Sequence, residues 1–326
     1  SSSKTPDAAK IKLLPAEKIE KHLLSKKDFL ILGILTSVYA AVALHNLGSF
    51  KAPQSYWKPA NKGESFYIDA GKSQNIDRVS YFLSFGAGSY LIDFSDDGQV
   101  WRDEKRIEQK NIYEPIEWRY FNFGGSARYV RITAEKPGAM LNEIGLFATG
   151  TATPIPVKAI SAIKILSISP ECGKPENVFD EPATVAYVPS FINGMYFDEI
   201  YHSRTAYEYL HHLPPTEPTH PPLGKVIISA GVAVFGMTPF GWRIMGVLFG
   251  IAMIPAVYCF AKRLFEKSGY AFVAAFLFAF DFMHFTYTRI GVIDCFAVFF
   301  IILMYYYMYL YFVMSFFDVG LWRTFV

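Results

Sequence analysis

Residues 196–225 read YFDEIYHSRTAYEYLHHLPPTEPTHPPLGK, and the chain is best understood outward from them. Two adjacent carboxylates, Asp198 and Glu199, open the stretch, and His220-Pro221-Pro222-Leu223-Gly224-Lys225 closes it. Between them Ala206, Tyr209, Leu210 and Leu213 recur at helical spacing and make one apolar face, with Glu208, His211 and His212 off it. Next to strongly hydrophobic sequence, such a helix is suited to lie flat in a membrane interface. The stretch therefore sets acid–base groups and a cation at the boundary of water and lipid.

The composition agrees with a membrane setting. Of 326 residues, 52% are hydrophobic and 17% aromatic, and the apolar residues come in long runs. This excludes an ordinary soluble protein and leaves room for two domains. A net charge of +2 gives no footprint of a nucleic-acid partner. The lysines gather at the start instead: Lys4, Lys10, Lys12, Lys18, Lys21, Lys26 and Lys27 all precede the first apolar run. Cys172, Cys259 and Cys295 form no CxxC, and no His/Cys cluster or EF-hand pattern calls for a metal. No tightly bound cofactor is expected, and dependence on a divalent cation stays open.

Read in order, residues 1–28 are a basic cytoplasmic tail and 29–47 a first transmembrane helix, an uncleaved anchor lacking a small-residue cleavage site. Residues 50–150 change to short alternating stretches separated by Gly-rich or polar turns, the pattern of an all-β sandwich. Residues 151–195 are a linker rich in proline and small residues, with one possible strand at 159–168. Residues 196–238 form an outer loop whose apolar run 226–237 is too short to cross. Residues 239–264 and 269–288 are the second and third spans. Residues 289–317 hold a second outer loop and a fourth span, and 318–326 a cytoplasmic end. Lysines before the first span, and Lys262, Arg263 and Lys267 after the second, put both of those ends inside. Asp198, Lys225, Arg243 and Arg289 then share the outer side.

Several motifs carry a resemblance. FDE followed by HPPLGK, then Phe240-Gly241-Trp242-Arg243 before a long apolar run, then FDFMHFTYTRIGVID, resemble in order the protein O-mannosyltransferase family over roughly residues 180–317. IDAGKSQNIDRV, GSYLIDFSDDGQVW, ARYVRIT and LNEIGLFATG resemble the strands of a discoidin-like (F5/8 type C) module. The resemblances imply a polytopic α-helical membrane protein of the GT-C kind, with a discoidin- or jelly-roll-like β-sandwich inserted in the first outer loop. Since that family carries about eleven spans, the chain is expected to be the N-terminal part of a longer enzyme.

The implied activity is inverting transfer of mannose, or another hexose, from a polyprenyl-phosphate donor to Ser/Thr hydroxyls of a protein or peptide. The implied location is an integral position in a bacterial plasma membrane, with the site and the β domain extracytoplasmic among membrane lipids. Asp198 is the expected catalytic base, and Glu199 positions acceptor or base. Lys225, Arg243 and Arg289 suit the donor phosphate. His220, Asp294, Asp281 and His284 are supporting residues. Asp281 and His284 lie inside an apolar span, where they are expected to be paired, with Arg289 or Arg243, or catalytic. His202 and Arg204 are lesser candidates. On the β domain Trp57 and Trp118 are candidates to stack on a bound glycan, and Trp101 is assigned to the core. The alternatives are a related GT-C transferase with a lipid or glycan acceptor, and a membrane-anchored carbohydrate-binding protein.

Overall fold

Period-two alternation after residue 64 builds six strands, and long apolar runs build seven helices, among residues 24–313, which the computed structural model describes. The expected basic tail up to Lys21 and the expected end at 318–326 lie outside the described residues. The chain divides into two compact units. One holds residues 44–247 and 287–293; the other holds residues up to 43, 248–286 and those from 294 onward.

In the first unit the β domain comprises β1 (Ser65–Leu83), β2 (Gly88–Ser95), β3 (Arg102–Gln109), β4 (Glu117–Lys136), β5 (Leu141–Ala148) and β6 (Ala159–Lys164). All its pairings are antiparallel, as β3-β2-β4-β1-β5 with β6 also on β1. The two long strands serve both layers. Residues 65–69 of β1 pair with β6 and with 129–133 of β4, which in turn pairs with β2. Residues 76–83 of β1 pair with β5 and with the first half of β4. The register shifts between Asp69 and Gln74 and again at Ile76–Arg78 mark the bend from one layer to the other. Phe66, Ile68, Ile92, Phe94, Val130, Ile132, Ile144 and Leu146 point inward as the core.

Three sequence expectations change here. The sandwich does not end at residue 150, because β6 inside the expected linker adds a strand to β1. Nor do Trp57 and Trp118 face a glycan. Trp57 is 0% and Trp118 2% exposed. The Trp57 backbone exchanges hydrogen bonds with Leu141 (2.9 and 3.0 Å), which pulls its ring onto Phe66 and Tyr90. Trp101, assigned to the core, is only half-buried, sitting against the Arg131 guanidinium (4.4 Å) and Tyr67.

Beyond the β domain this unit carries α2 (Glu199–Leu210), α3 (Leu223–Phe235) and the first turns of α4 (Pro239–Phe265). The thirteen residues of α3 extend about 20 Å, short of the roughly 30 Å of a bilayer core. Gly231 lets α3 approach α4 closely: a Cβ there would lie 2.3 Å from the Gly241 carbonyl.

The second unit contains α1 (Lys26–Leu44, except its last residue), the remainder of α4, α5 (Ser268–Ala279), α6 (Phe282–Thr288, up to 286) and α7 (Asp294–Val313). Among the described residues α1, α4 and α7 are long and apolar enough to cross a membrane. The expected third span is broken instead, since α5 and α6 meet at a 56° bend. Asp281 lies in the break, where its Oδ2 accepts the His284 N–H (3.0 Å) and caps α6, so it is not buried in mid-span. Asp28 of α1 is fully buried, accepting a hydrogen bond from the Tyr258 hydroxyl (2.6 Å) with Lys262 Nζ 3.8 Å away. The protein is integral to a membrane.

Trp57→Ala should cost about 3–5 kcal/mol of stability, the usual cost of emptying a large aromatic site. Denaturation of the full chain in detergent, followed by near-UV circular dichroism, measures this. An unchanged midpoint would remove Trp57 from the core.

Candidate active site

Helix α2 is turned inside out relative to a soluble helix. Glu199, His202, Ser203, Arg204, Thr205 and Glu208 are buried along with Ala206, while Leu210 and Leu213 of the apolar face are 37% and 46% exposed. Buried polar groups need partners, and most of these find them. Glu199, wholly buried, receives the Arg243 guanidinium side-on, with Nε–Oε1 and Nη2–Oε2 both 2.7 Å. The same carboxylate accepts the N–H groups of Tyr196 (2.8 Å) and Gly291 (2.7 Å). Arg243 also donates to the carbonyls of Leu47 (3.0 Å), Phe191 (2.8 Å) and Gly194 (3.0 Å). A guanidinium has five N–H donors, and these five hydrogen bonds use them all.

This corrects two expectations. Arg243 has no N–H left for a phosphate, and Glu199 has no lone pair directed at an acceptor. Together they are the joint at which the segment after α1, the approach to α2, the start of α4 and the loop before α7 are held.

Lys225 is corrected in the same way. It is 0% exposed, ion-paired with Glu217, and donates to the carbonyls of Glu217 and His220 (3.5 Å). Burial opposes ionisation of Glu217, but hydrogen bonds from Lys225, Thr219 and His220 hold its carboxyl well below the usual range. His220 itself is exposed and lies 3.1 Å from Glu217 through Nδ1. Its ring meets His202 edge-on, centroids 5.5 Å apart. His202 is 5% exposed, its Nδ1 has no hydrogen-bond partner among the described residues, and burial, then His220 and Lys225, push its pKa down. Glu208 accepts the Thr216 N–H (2.6 Å), and Thr205 that of Glu217 (3.3 Å). The polar face of α2 is thus wrapped by the loop that leads to α3.

Asp198 differs from all of these. It occupies the N-cap of α2, is half-buried, and its carboxylate accepts no hydrogen bond from the described residues. Arg289 is half-exposed and donates to the carbonyls of His45 (2.6 Å) and Asn46 (3.2 Å). The Glu199–Gly291 bond ties the chain beside Asp198 to the chain beside Arg289. Asp281, His284 and Asp294 belong to the other unit, where His284 stacks between Tyr39 and Phe278.

The β domain reaches α2 directly. Arg204, 1% exposed, donates to the Glu114 carbonyl (2.9 Å) and lies 5.4 Å from the Phe85 ring, while Phe85 stacks on Tyr207 at 4.4 Å. Burial pushes the Arg204 guanidinium down to about 10, against the opposing charge of Glu208. Sequence reasoning missed Glu217, although a glutamate in the same proline-rich loop as Lys225 was a visible signal. It had no means of finding the Leu47, Phe191 and Gly194 carbonyls.

One acidic trio stands apart: the oxygens of Glu143, Asp180 and Glu181 lie within 4.8 Å of one another. Glu181 is already bonded by the Gln54 and Ser55 N–H groups (2.8 and 2.9 Å). Burial, with Asp180 and Glu181 adding to it, pushes the Glu143 carboxyl up to about 9, so it holds a proton at neutral pH. On the β-domain surface an open cavity of about 360 Å³ is lined by Lys72, Ser73, Gln74, Asn75, Ala148 and Thr149, none of them aromatic.

Comparison with known proteins follows the same division. Residues 219–315 match the family "Dolichyl-phosphate-mannose-protein mannosyltransferase", and residues 39–146 match the F5/8 type C domain. Two separate stretches of the chain are thus similar to a protein mannosyltransferase and to an F5/8 type C domain. The mannosyltransferase match begins after Asp198 and Glu199, and includes the HPPLGK loop, Arg243 and Arg289. A polyprenol-phosphate-mannose–protein mannosyltransferase of Corynebacterium glutamicum is 43% identical over 82 residues, 25% of this chain and 16% of that protein. One from Mycobacterium tuberculosis is 34% identical over 83 residues, 26% of this chain and 16% of that protein. The chain thus covers about a sixth of these relatives. A pectin-binding carbohydrate-binding module is 18% identical with a TM-score of 0.22, covering 28% of this chain and 71% of the module.

Breaking a buried ion pair from one side typically costs 3–5 kcal/mol. Arg243→Ala should therefore lower thermal stability and the yield of folded protein, beyond any effect on donor KM. A variant of wild-type stability with only a raised donor KM would restore the phosphate role.

The Glu143 proton gives a second prediction. With a folded value near 9 above an unfolded value of about 4.3, its stabilising contribution is complete at acid pH and is lost as pH rises through about 9. Melting of the full chain in detergent at pH 5, 7 and 9 should show a decline that Glu143→Gln flattens. Equal slopes in the two proteins would refute the buried proton.

Proposed function

We propose that this chain forms part of an inverting glycosyltransferase that moves mannose from a polyprenyl phosphate to Ser/Thr hydroxyls of proteins. The observation that carries the reading is the uncommitted, half-buried Asp198 carboxylate beside the Glu199–Arg243–Gly291 joint. Glu199, Arg204 and Glu208 of α2 are committed to Arg243, the Glu114 carbonyl and the Thr216 N–H; the Asp198 carboxylate accepts no hydrogen bond from the described residues. A carboxylate within reach of an acceptor hydroxyl takes its proton as the oxygen attacks. In the step proposed, the acceptor oxygen bonds to the anomeric carbon, the bond from that carbon to the phosphate oxygen breaks, and the electron pair leaves with the phosphate. Arg289 is the cation assigned to that developing charge. The named relatives support the donor and the protein acceptor.

The active face and the β domain are assigned to the extracytoplasmic side of a bacterial plasma membrane. Lys262 and Tyr258, near the end of α4, reach Asp28 at the start of α1. This supports a common side for those two ends, and the lysine-rich segment before α1 marks that side as cytoplasmic. The β domain is assigned a role in holding α2, through Arg204 and Tyr207, with glycan binding a further capacity of its surface.

In the full-length enzyme Asp198→Asn should lower transfer of labelled mannose from polyprenyl phosphate to a peptide by about 100- to 10,000-fold, with unchanged membrane insertion. Near-normal turnover would sink Asp198 as the base, and Glu199, bound on all sides, could not replace it.

A further inference from the structure

The approach to α2 has an unusual surface. From Pro182 to Phe197, sixteen consecutive residues include no Asp, Glu, Lys, Arg or His. Yet the side chains at its tip are not packed away: Val188 is 66%, Phe191 63%, Ile192 44%, Tyr196 44% and Phe197 52% exposed. In water this is a costly arrangement. Phe197 also adopts a φ of 53°, a conformation that bulky residues avoid, so the fold holds its ring outward.

Much of the loop's backbone is hydrogen-bonded within the protein. The carbonyls of Phe191 and Gly194 accept from Arg243 (2.8 and 3.0 Å), and that of Ile192 from the Ser49 N–H (2.7 Å). Those of Ser190, Tyr196 and Phe197 accept from Asn193, Glu199 and Ile200. The N–H groups of Ser190, Met195 and Tyr196 are bonded to Asn193, Ile116 and Glu199. Irregular backbone persists at membrane depth only when its polar groups are satisfied in this way.

The anchors also set its level. Ser49 follows α1 by five residues, and its carbonyl accepts from Phe240 (3.0 Å) in the first turn of α4. Arg243 lies within the first two turns of α4. The loop is therefore fastened to the segment that follows α1 and to the first two turns of α4, the chain positions where two membrane-crossing helices end.

We infer that the 188–197 loop is inserted in the lipid interface, with Phe191, Tyr196 and Phe197 among the acyl chains and Asp198 at the adjoining water boundary. Aromatic rings favour this depth. The inference needs only the membrane position, not the transferase reading.

The test uses the full-length protein with cysteines replaced by serine, in liposomes of phosphatidylcholine and phosphatidylglycerol. Nitroxide labels are placed at Phe191→Cys, Tyr196→Cys and, as an aqueous control, Thr151→Cys. Power-saturation spectroscopy compares collisions with oxygen, which partitions into lipid, and with a water-soluble nickel chelate. At 191 and 196, oxygen should dominate; at 151, the chelate should. Chelate access at 191 and 196 would overturn the inference in favour of an aqueous surface open to acceptor. Shielding from both probes would also overturn it, by showing the loop covered by protein.

Discussion

The ion pair of Glu199 and Arg243 organises the first unit. A guanidinium presents its donors in a fixed planar fork, so the groups that satisfy it must come to it from defined directions. Here they come from five places in the sequence: Leu47, Phe191, Gly194, Glu199 and, through Glu199, Gly291. Apart from Glu199, the first residue of α2, none of these lies in a helix or strand. The desolvation of two charges is offset only because every donor and nearly every lone pair is used. The pair thus sets the geometry in which the carboxylate of Asp198, one residue away, accepts no hydrogen bond from the described residues.

Much of this architecture was legible in the residues. Alternation at 65–69, 79–83, 89–94 and 128–132 reflects side chains standing on opposite faces of a strand, which depends on local geometry alone. The apolar runs of α1, α4 and α7 are equally direct. The break at Asp281 is half visible in the sequence: a carboxylate stands out in an apolar run, but its service as a helix cap depends on a bend that periodicity does not encode.

The charges near the site were harder to read, for a physical reason. Arg243 and Lys225 are the residue types that bind phosphate, and they are also those that bind backbone carbonyls in a buried joint. Which role prevails depends on carbonyl positions, and a carbonyl has no residue type. Trp57 poses the same problem, since a ring suited to stack on a sugar is equally suited to a core. Periodicity defines the two faces of α2 but not which one turns inward. In a soluble protein water decides that; beside a membrane, the apolar face has somewhere else to go.

The β domain leaves and rejoins the rest of the unit at almost one point. Glu181 accepts hydrogen bonds from the N–H groups of Gln54 and Ser55 at 2.8 and 2.9 Å, and Trp57 bridges to Gly173. A segment of more than a hundred residues is thus closed at its base like a loop with its ends pinned together. Such an insertion can be acquired, exchanged or lost in evolution with little strain on the helices that carry it. What resists exchange is the Arg204–Phe85–Tyr207 contact, since a replacement domain must offer a ring and a carbonyl in the same places.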